Sequence, residues 1–163
     1  MNIRDDAVAP DRKTRVQMKR NRSVLSLVAT IGVLSFLLAA RAQDFTVIVN
    51  ASNPVSSLPR DDVAKLFLKK SLNWQSGATV AAVELPMNAK AREAFARDVL
   101  GKTLAQVKSY WQQQIFSGRD VPLPEKPTDN DVVAFVRSNP NAIGYVSKGA
   151  DVGRGVKVIS IAP

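Results

Sequence analysis

The sequence predicts an α/β domain in which helices flank a small mixed sheet. Phe45–Val49 is a run of apolar and β-branched residues, which is typical of a central strand covered on both faces. After it, four segments with helical periodicity, a second strand-like run and two further runs near the C-terminus follow. The resulting order β-α-β-α-α-α-β-β predicts helices packed on a sheet.

The first half of the domain is predicted to alternate strand and helix. The segment 59–62 opens a helix, because proline suits a first turn and acidic side chains suit the positive end of a helix. This helix is expected to end near 69–70, before a turn at 73–77. A second apolar strand is expected over 79–85, and a second helix follows 86–88.

The third helix is predicted to run from Thr103 to Gly118. Thr103 and Gln106 have the spacing of a capping box, and glycine commonly ends a helix. One face is expected to pack in the core through Leu104, Val107, Trp111 and Ile115. The aromatic residues of this stretch could form a stacking platform for a ligand, but helical spacing favours a role in the core. They are Tyr110, Trp111 and Phe116, and Trp74 is interpreted in the same way.

The last part of the domain is predicted to hold one helix and two strands. The segment 121–127 contains three prolines and is expected to be irregular. A helix then runs between 128–131 and 139–140, and strands over 142–146 and 156–161 follow. The inner face of this helix is expected to hold Val132, Phe135 and Val136.

The N-terminus has the features of a cleaved export signal. Residues 23–40 carry no charge, basic residues precede them, and Ala40-Arg41-Ala42 offers small residues at the two positions that signal peptidase reads. We therefore expect a signal peptide over 1–42, a mature domain over 43–163 and a periplasmic location. An uncleaved membrane anchor is the alternative, since the run is near the lower length limit for a bilayer span.

The first seventeen residues are unusual for a signal peptide, because they mix acidic with basic side chains. Met18-Lys19-Arg20 resembles a natural start, so translation is expected to begin at Met18. The alternative is a genuine extension over residues 1–17.

Charge and composition exclude several classes of function. The chain has a net charge of +9, but residues 1–42 hold eight of the 23 basic and three of the 14 acidic residues, which leaves +4 for the domain. No basic stripe interleaved with aromatics appears, so nucleic acid is not an expected partner. The chain has no cysteine and no histidine, so a disulfide, a lipoprotein anchor and catalytic triads with histidine are excluded. No metal site or cofactor is expected.

Several motifs then suggest a family. The most specific are Phe116-Ser117-Gly118-Arg119 and the stretch 139–146, which spells NPNAIGYV. The others are Leu66–Lys70, Trp74 with Gly77, Arg92–Phe95 and Tyr110-Trp111. Together they resemble the phosphate-type substrate-binding proteins of ABC transporters, which have the type II periplasmic binding protein fold. The resemblance covers nearly all of residues 43–163 and implies one lobe of that two-lobe fold.

The resemblance also implies where an anion would bind. In these proteins a Ser-Gly-Thr segment opens the helix that carries the matching Arg and Phe, and Ala89-Lys90-Ala91 stands there in this chain. The best candidate anion site is therefore Asn88, Lys90 and Arg92 at a helix start. The alternative is a solvated helix start with an incidental arginine.

A second candidate is Ser52-Asn53, because ligands of open α/β sheets bind beyond the ends of strands. An ordinary turn is the favoured interpretation of this pair.

Two functions stay open at this level. The chain is expected to be a periplasmic substrate-binding-like protein for phosphate or another small anion in an ABC-type uptake system. Alternatively, it is an interaction or scaffold module of the cell envelope that has lost ligand binding. The expected partner of the chain is a membrane transporter, an envelope protein, or a second copy of the chain that rebuilds the two-lobe cleft. An enzyme is not expected, because no catalytic constellation stands out.

Overall fold

The computed structural model describes residues 43–163, so the predicted signal peptide, cleavage site and start lie outside the described residues. Within this range the elements are β1 (Phe45–Asn50), β2 (Ser57–Pro59), α1 (Arg60–Phe67), β3 (Ala81–Ala82), α2 (Lys90–Asp98), α3 (Leu104–Phe116), α4 (Asp129–Ser138), β4 (Ala142–Ser147), β5 (Val156–Val158) and β6 (Ser160–Ala162). Among residues 43–163, every helix is too short or too polar to span a membrane.

The main sheet has four strands in the order β3-β4-β1-β5. β1 runs antiparallel to both β4 and β5, whereas β3 runs parallel to β4, so the sheet is mixed as predicted. A separate sheet pairs β2 with β6 in parallel. The expectation that 45–49 forms a central strand is confirmed, because β1 has neighbours on both sides.

The main sheet lies between two helices. On one face Phe45 packs edge-on against Phe95 of α2 at 5.2 Å between ring centroids, and Tyr145 of β4 stacks on Phe95 at 4.1 Å. On the other face Asn50 donates through Nδ2 to the Val136 carbonyl oxygen of α4 at 2.9 Å. Alternate residues of β1 therefore face α2 and α4, which explains why five of its six residues are buried and four are apolar.

The helices occupy the predicted places, and local signals explain several of their limits. At α3 the Thr103 hydroxyl accepts from the Gln106 N–H and the Gln106 side chain accepts from the Thr103 N–H, so the predicted capping box is present. Asp61 and Asp62 lie in the first turn of α1 as expected. α1 ends at Phe67, two residues earlier than predicted, because Lys69 adopts a left-handed conformation with φ of 51°.

Three residues that were predicted to lie in the core, Ile115, Phe116 and Phe135, are exposed or only half-buried. Trp74, Val107 and Trp111 are buried, in agreement with the predicted core, but Ile115 is 50 % exposed and Phe116 is 89 % exposed. The core assignment of Ile115 and Phe116 is wrong because the last turn of α3 extends beyond the elements on which the helix packs. In α4 Phe135 is only half-buried, with the Lys126 ammonium 4.6 Å from its ring, and Val133 is buried as well.

Two predicted strands are shorter or divided. The run 79–85 forms a strand only at Ala81–Ala82. At Glu84 the backbone has left β4 and forms an isolated bridge with the backbone of Glu125 in the proline-rich segment. The run 156–161 breaks at Ile159, where the chain passes from the main sheet to β2. β2 itself, at Ser57–Pro59, was not predicted.

Candidate functional site

The structure places the two predicted groups of site residues at opposite ends of the main sheet. Ala81 pairs with Ala142, and Ser147 at the far end of β4 pairs with Phe45. Because β3 runs parallel to β4, the chain leaves β3 towards the Ser147 end of β4. The connection from β3 to α2, which carries Asn88 and Lys90, therefore lies near the start of β1. Ser52 and Asn53 follow the end of β1. These two groups do not form one site.

The start of α2 is open at the surface. Asn88 and Lys90 are exposed, and Lys90 is the first residue of the helix. Ala89 occupies the N-cap position, and no side chain accepts a hydrogen bond from the first turn. Unpaired N–H groups and the positive end of the helix dipole attract an anion, and the Lys90 ammonium adds to this attraction.

Arg92 is turned away from that surface. Its side chain is only 4 % exposed, and Nη1 donates to the Leu85 carbonyl oxygen at 2.7 Å. The same nitrogen lies 2.5 Å from Oε2 of Glu84, which is 2 % exposed, and 3.7 Å from Oε1 of Glu125 at the surface. The guanidinium therefore shares its charge with two carboxylates of the protein itself.

Glu84 is the residue that sequence reasoning missed. Burial raises the pKa of its carboxyl to about 7, Arg92 opposes this shift, and the Glu125 charge adds to it. Its Oε2 and the hydroxyl of Tyr145 are both buried without a hydrogen bond of good geometry. Burial and the Glu84 charge also raise the pKa of Tyr145. An acidic residue inside the apolar run 79–85 was the available signal, since such a residue needs a partner.

The other end of the sheet is held by amide side chains. Asn50 Oδ1 accepts from the Ser52 N–H at 2.9 Å and from the Ser52 hydroxyl at 2.7 Å. Asn53 is buried, and its Oδ1 accepts from the Val55 N–H at 3.0 Å. The Lys157 ammonium donates to the Asn53 carbonyl oxygen. The loop after β1 is therefore a fixed structure, and it borders a cleft of about 420 Å³.

The aromatic candidates take structural positions. Trp74 donates through Nε1 to the Asn141 carbonyl oxygen at 3.0 Å, and the Tyr110 hydroxyl donates to the Leu68 carbonyl oxygen at 2.7 Å. Among residues 43–163, no three acidic side chains come together in a way that would hold a metal ion.

The fold is similar to that of solved phosphate-binding proteins. An ABC-type phosphate transport receptor from Vibrio cholerae matches with a TM-score of 0.56 and 19 % identity, over 72 % of this chain and 46 % of the receptor. PstS from Borrelia burgdorferi matches with a TM-score of 0.56 and 12 % identity, over 72 % of this chain and 47 % of that protein. The sequence matches no protein-family model and no curated protein.

These comparisons confirm the predicted fold class. The chain spans less than half the length of either matched protein, as one lobe of a two-lobe fold would. Residues 43–163 therefore have part of the periplasmic binding protein fold, with an open helix start at one end of the sheet and a polar cleft at the other.

Proposed function

We propose that this chain is an exported substrate-binding-type protein that holds a small inorganic anion, such as phosphate, at the start of α2. The observation that carries the proposal is the uncapped first turn of α2, with Asn88 and Lys90 exposed beside it. The likeness in fold to the solved phosphate-binding proteins supports the same class of ligand.

The chemistry at this helix start suits an oxyanion of modest charge. Backbone N–H groups of the first turn would donate to its oxygens, the Asn88 amide offers another donor, and Lys90 supplies the counter-charge. Arg92 contributes from beneath, as a positioning residue that fixes α2 against Leu85, because its guanidinium is bonded inside the protein.

The affinity should be low. Ala89-Lys90-Ala91 provides none of the hydroxyls of a Ser-Gly-Thr segment. Each lost hydrogen bond to a charged ligand is worth about 1.5–3 kcal/mol, so two losses weaken binding by about two to four decades.

Calorimetric titration of the purified chain with sodium phosphate, sulfate and molybdate tests the proposal. Lys90→Ala should weaken binding about fivefold, because it removes the exposed counter-charge. Lys108→Ala is the matched control, since Lys108 is an exposed lysine on α3 and carries the same charge. Equal loss in both variants, or no heat with any anion, would refute the anion site.

Export through a signal peptide cleaved after Ala42, into the periplasm, belongs to the same proposal. The sequence features of residues 19–42 support it. The mass of the protein recovered from a periplasmic extract should correspond to a first residue of Gln43. A mass that retains residues 23–40 would instead indicate an anchor.

A second candidate function is an interaction module of the cell envelope that contacts a membrane transporter or another envelope protein. The observation that favours it is the solvent-exposed end of α3, where Phe116 is 89 % exposed and Ile115 is 50 % exposed. Retention of an envelope protein by the wild-type chain and not by Phe116→Ser would support this function. Equal retention by both would count against it.

A pair of copies could rebuild a two-lobe cleft around one anion. Light scattering after size-exclusion chromatography, with and without phosphate, distinguishes the cases. A dimer that forms only with phosphate supports a shared site, whereas a monomer under both conditions leaves each lobe to bind alone.

A further inference from the structure

A polar cleft lies at the end of the sheet remote from the start of α2. Its volume of about 420 Å³ falls within the range typical of small-molecule sites. Trp74 and Leu58 line it but are 6 % and 7 % exposed, so they present only a small apolar area, while Ser56, Ser57 and Ser76 are exposed along the walls with Gln75. Hydroxyl and amide groups both donate and accept hydrogen bonds, so these walls match a ligand that does the same.

The walls of the cleft are fixed before any ligand arrives. Asn53, 5 % exposed, holds the loop after β1 through its bond to the Val55 N–H. The Trp74 indole bonds to the Asn141 carbonyl oxygen and so ties two rims together. Because these groups are already ordered, a ligand would lose little free energy to their immobilisation.

Charge distinguishes this cleft from an anion site. None of the residues that line it is ionisable. A smaller cavity of about 270 Å³ continues past Trp74, and there Asp62 and Lys65 neutralise each other at 2.8 Å. The Lys157 ammonium is bonded to the Asn53 carbonyl oxygen and does not line the cleft. An ion would find no ionisable side chain among the residues that line this cleft, so an uncharged ligand is favoured.

The backbone argues against an extended peptide. Pro54 and Pro59 stand at the rim and have no N–H, so a strand laid along β2 would lack donors for a regular ladder. A ligand that carries many hydroxyl groups and a few apolar C–H groups fits these polar walls and the small apolar area beside them.

We propose that this cleft is a binding site for an uncharged saccharide, independent of the anion site at α2. The sugar's hydroxyls bond to Ser56, Ser57 and Ser76, and its C–H groups contact the small apolar area that Trp74 and Leu58 leave exposed.

Amide chemical shifts of the ¹⁵N-labelled chain test this proposal, with maltose and diacetylchitobiose as probes. We expect saturable shifts of the amides at 52–57, apart from Pro54, and at 74–76 at millimolar sugar. Ser57→Ala and Ser76→Ala should each weaken binding about threefold to tenfold, because each removes one hydrogen bond. Ser109→Ala, an exposed serine on α3, is the matched control and should bind as the wild type does. Lys90→Ala should also leave sugar binding unchanged, which separates this test from that of the anion site.

Two results would overturn the proposal. One is the absence of saturable shifts with either sugar up to about 50 mM, a concentration that detects even very weak binding. The other is a response of the same amides only to phosphate or to a capped alanine tripeptide, which would make the cleft an anion or peptide site.

Discussion

Replacement of Glu84 by glutamine should remove most of the pH dependence of stability between pH 5 and pH 8. Glu84 is buried, and the pKa of its carboxyl in the folded protein is about 7, against 4.5 for an ordinary glutamate. The folded state therefore binds this proton more tightly than the unfolded state does. The resulting stabilisation is fully present below pH 4.5 and is lost as the pH rises through 7.

The size of the effect follows from the shift in pKa. A shift from 4.5 to about 7 corresponds to about 3 kcal/mol of unfolding free energy, which the wild type should lose between about pH 4.5 and pH 8. Glu84→Gln keeps the size of the side chain and cannot ionise, so its unfolding free energy should be nearly flat over this range. Arg92 would remain 3.7 Å from Glu125 and bonded to Leu85 in the variant.

Urea denaturation monitored by circular dichroism at several pH values measures the unfolding free energy of both proteins. Glu125→Gln is the control, because Glu125 touches the same guanidinium from the surface, where its side chain is 47 % exposed. It should retain most of the wild-type slope, with the midpoint moved to lower pH because the Glu125 charge raises the pKa of Glu84. Identical slopes for wild type and Glu84→Gln would refute the assignment of a raised pKa to Glu84.

Three further substitutions test the packing and the caps by thermal or urea unfolding. Gly144→Ala should destabilise by about 1–3 kcal/mol, because a Cβ there would lie 2.7 Å from Val132 Cγ1; no change in stability would contradict the tight packing of α4 on β4. Thr103→Ala should cost about 1 kcal/mol through loss of the capping box, and an unchanged midpoint would show that the box contributes nothing. Phe116→Ser should change stability by no more than about 0.5 kcal/mol, since the ring is already 89 % exposed; a larger loss would mean that the ring is packed.

Local sequence patterns predicted most of the fold because several helices and the central strand carry their own signals. The capping box at Thr103 is one example, and the apolar run of β1 is another. Both signals depend on residues close together in the chain.

Features that depend on distant partners could not be predicted in this way. The strand over 79–85 is short because the backbone of Glu84 bridges to that of Glu125 and not to β4. β2 forms only because β6 pairs with it. The exposure of Phe116 follows from where the core ends, which helical periodicity does not reveal.

The candidate site was predicted only in part for the same reason. The motif at 88–92 identified a helix start that is open in the structure, but the sequence did not reveal that Arg92 is bonded to Glu84, eight positions earlier. Nor did it reveal that Ser52 and Asn53 lie at the other end of the sheet, since this depends on the antiparallel pairing of β1 with β4.

Amide chemical-shift mapping with sodium phosphate tests the central claim most directly, because the two ends of the sheet report separately. Binding at the start of α2 predicts saturable shifts at Asn88, Lys90 and Ala91 that weaken in Lys90→Ala, with Ser52 and Asn53 unaffected. Saturable shifts confined to Ser52 and Asn53, or none at any of these residues, would contradict it.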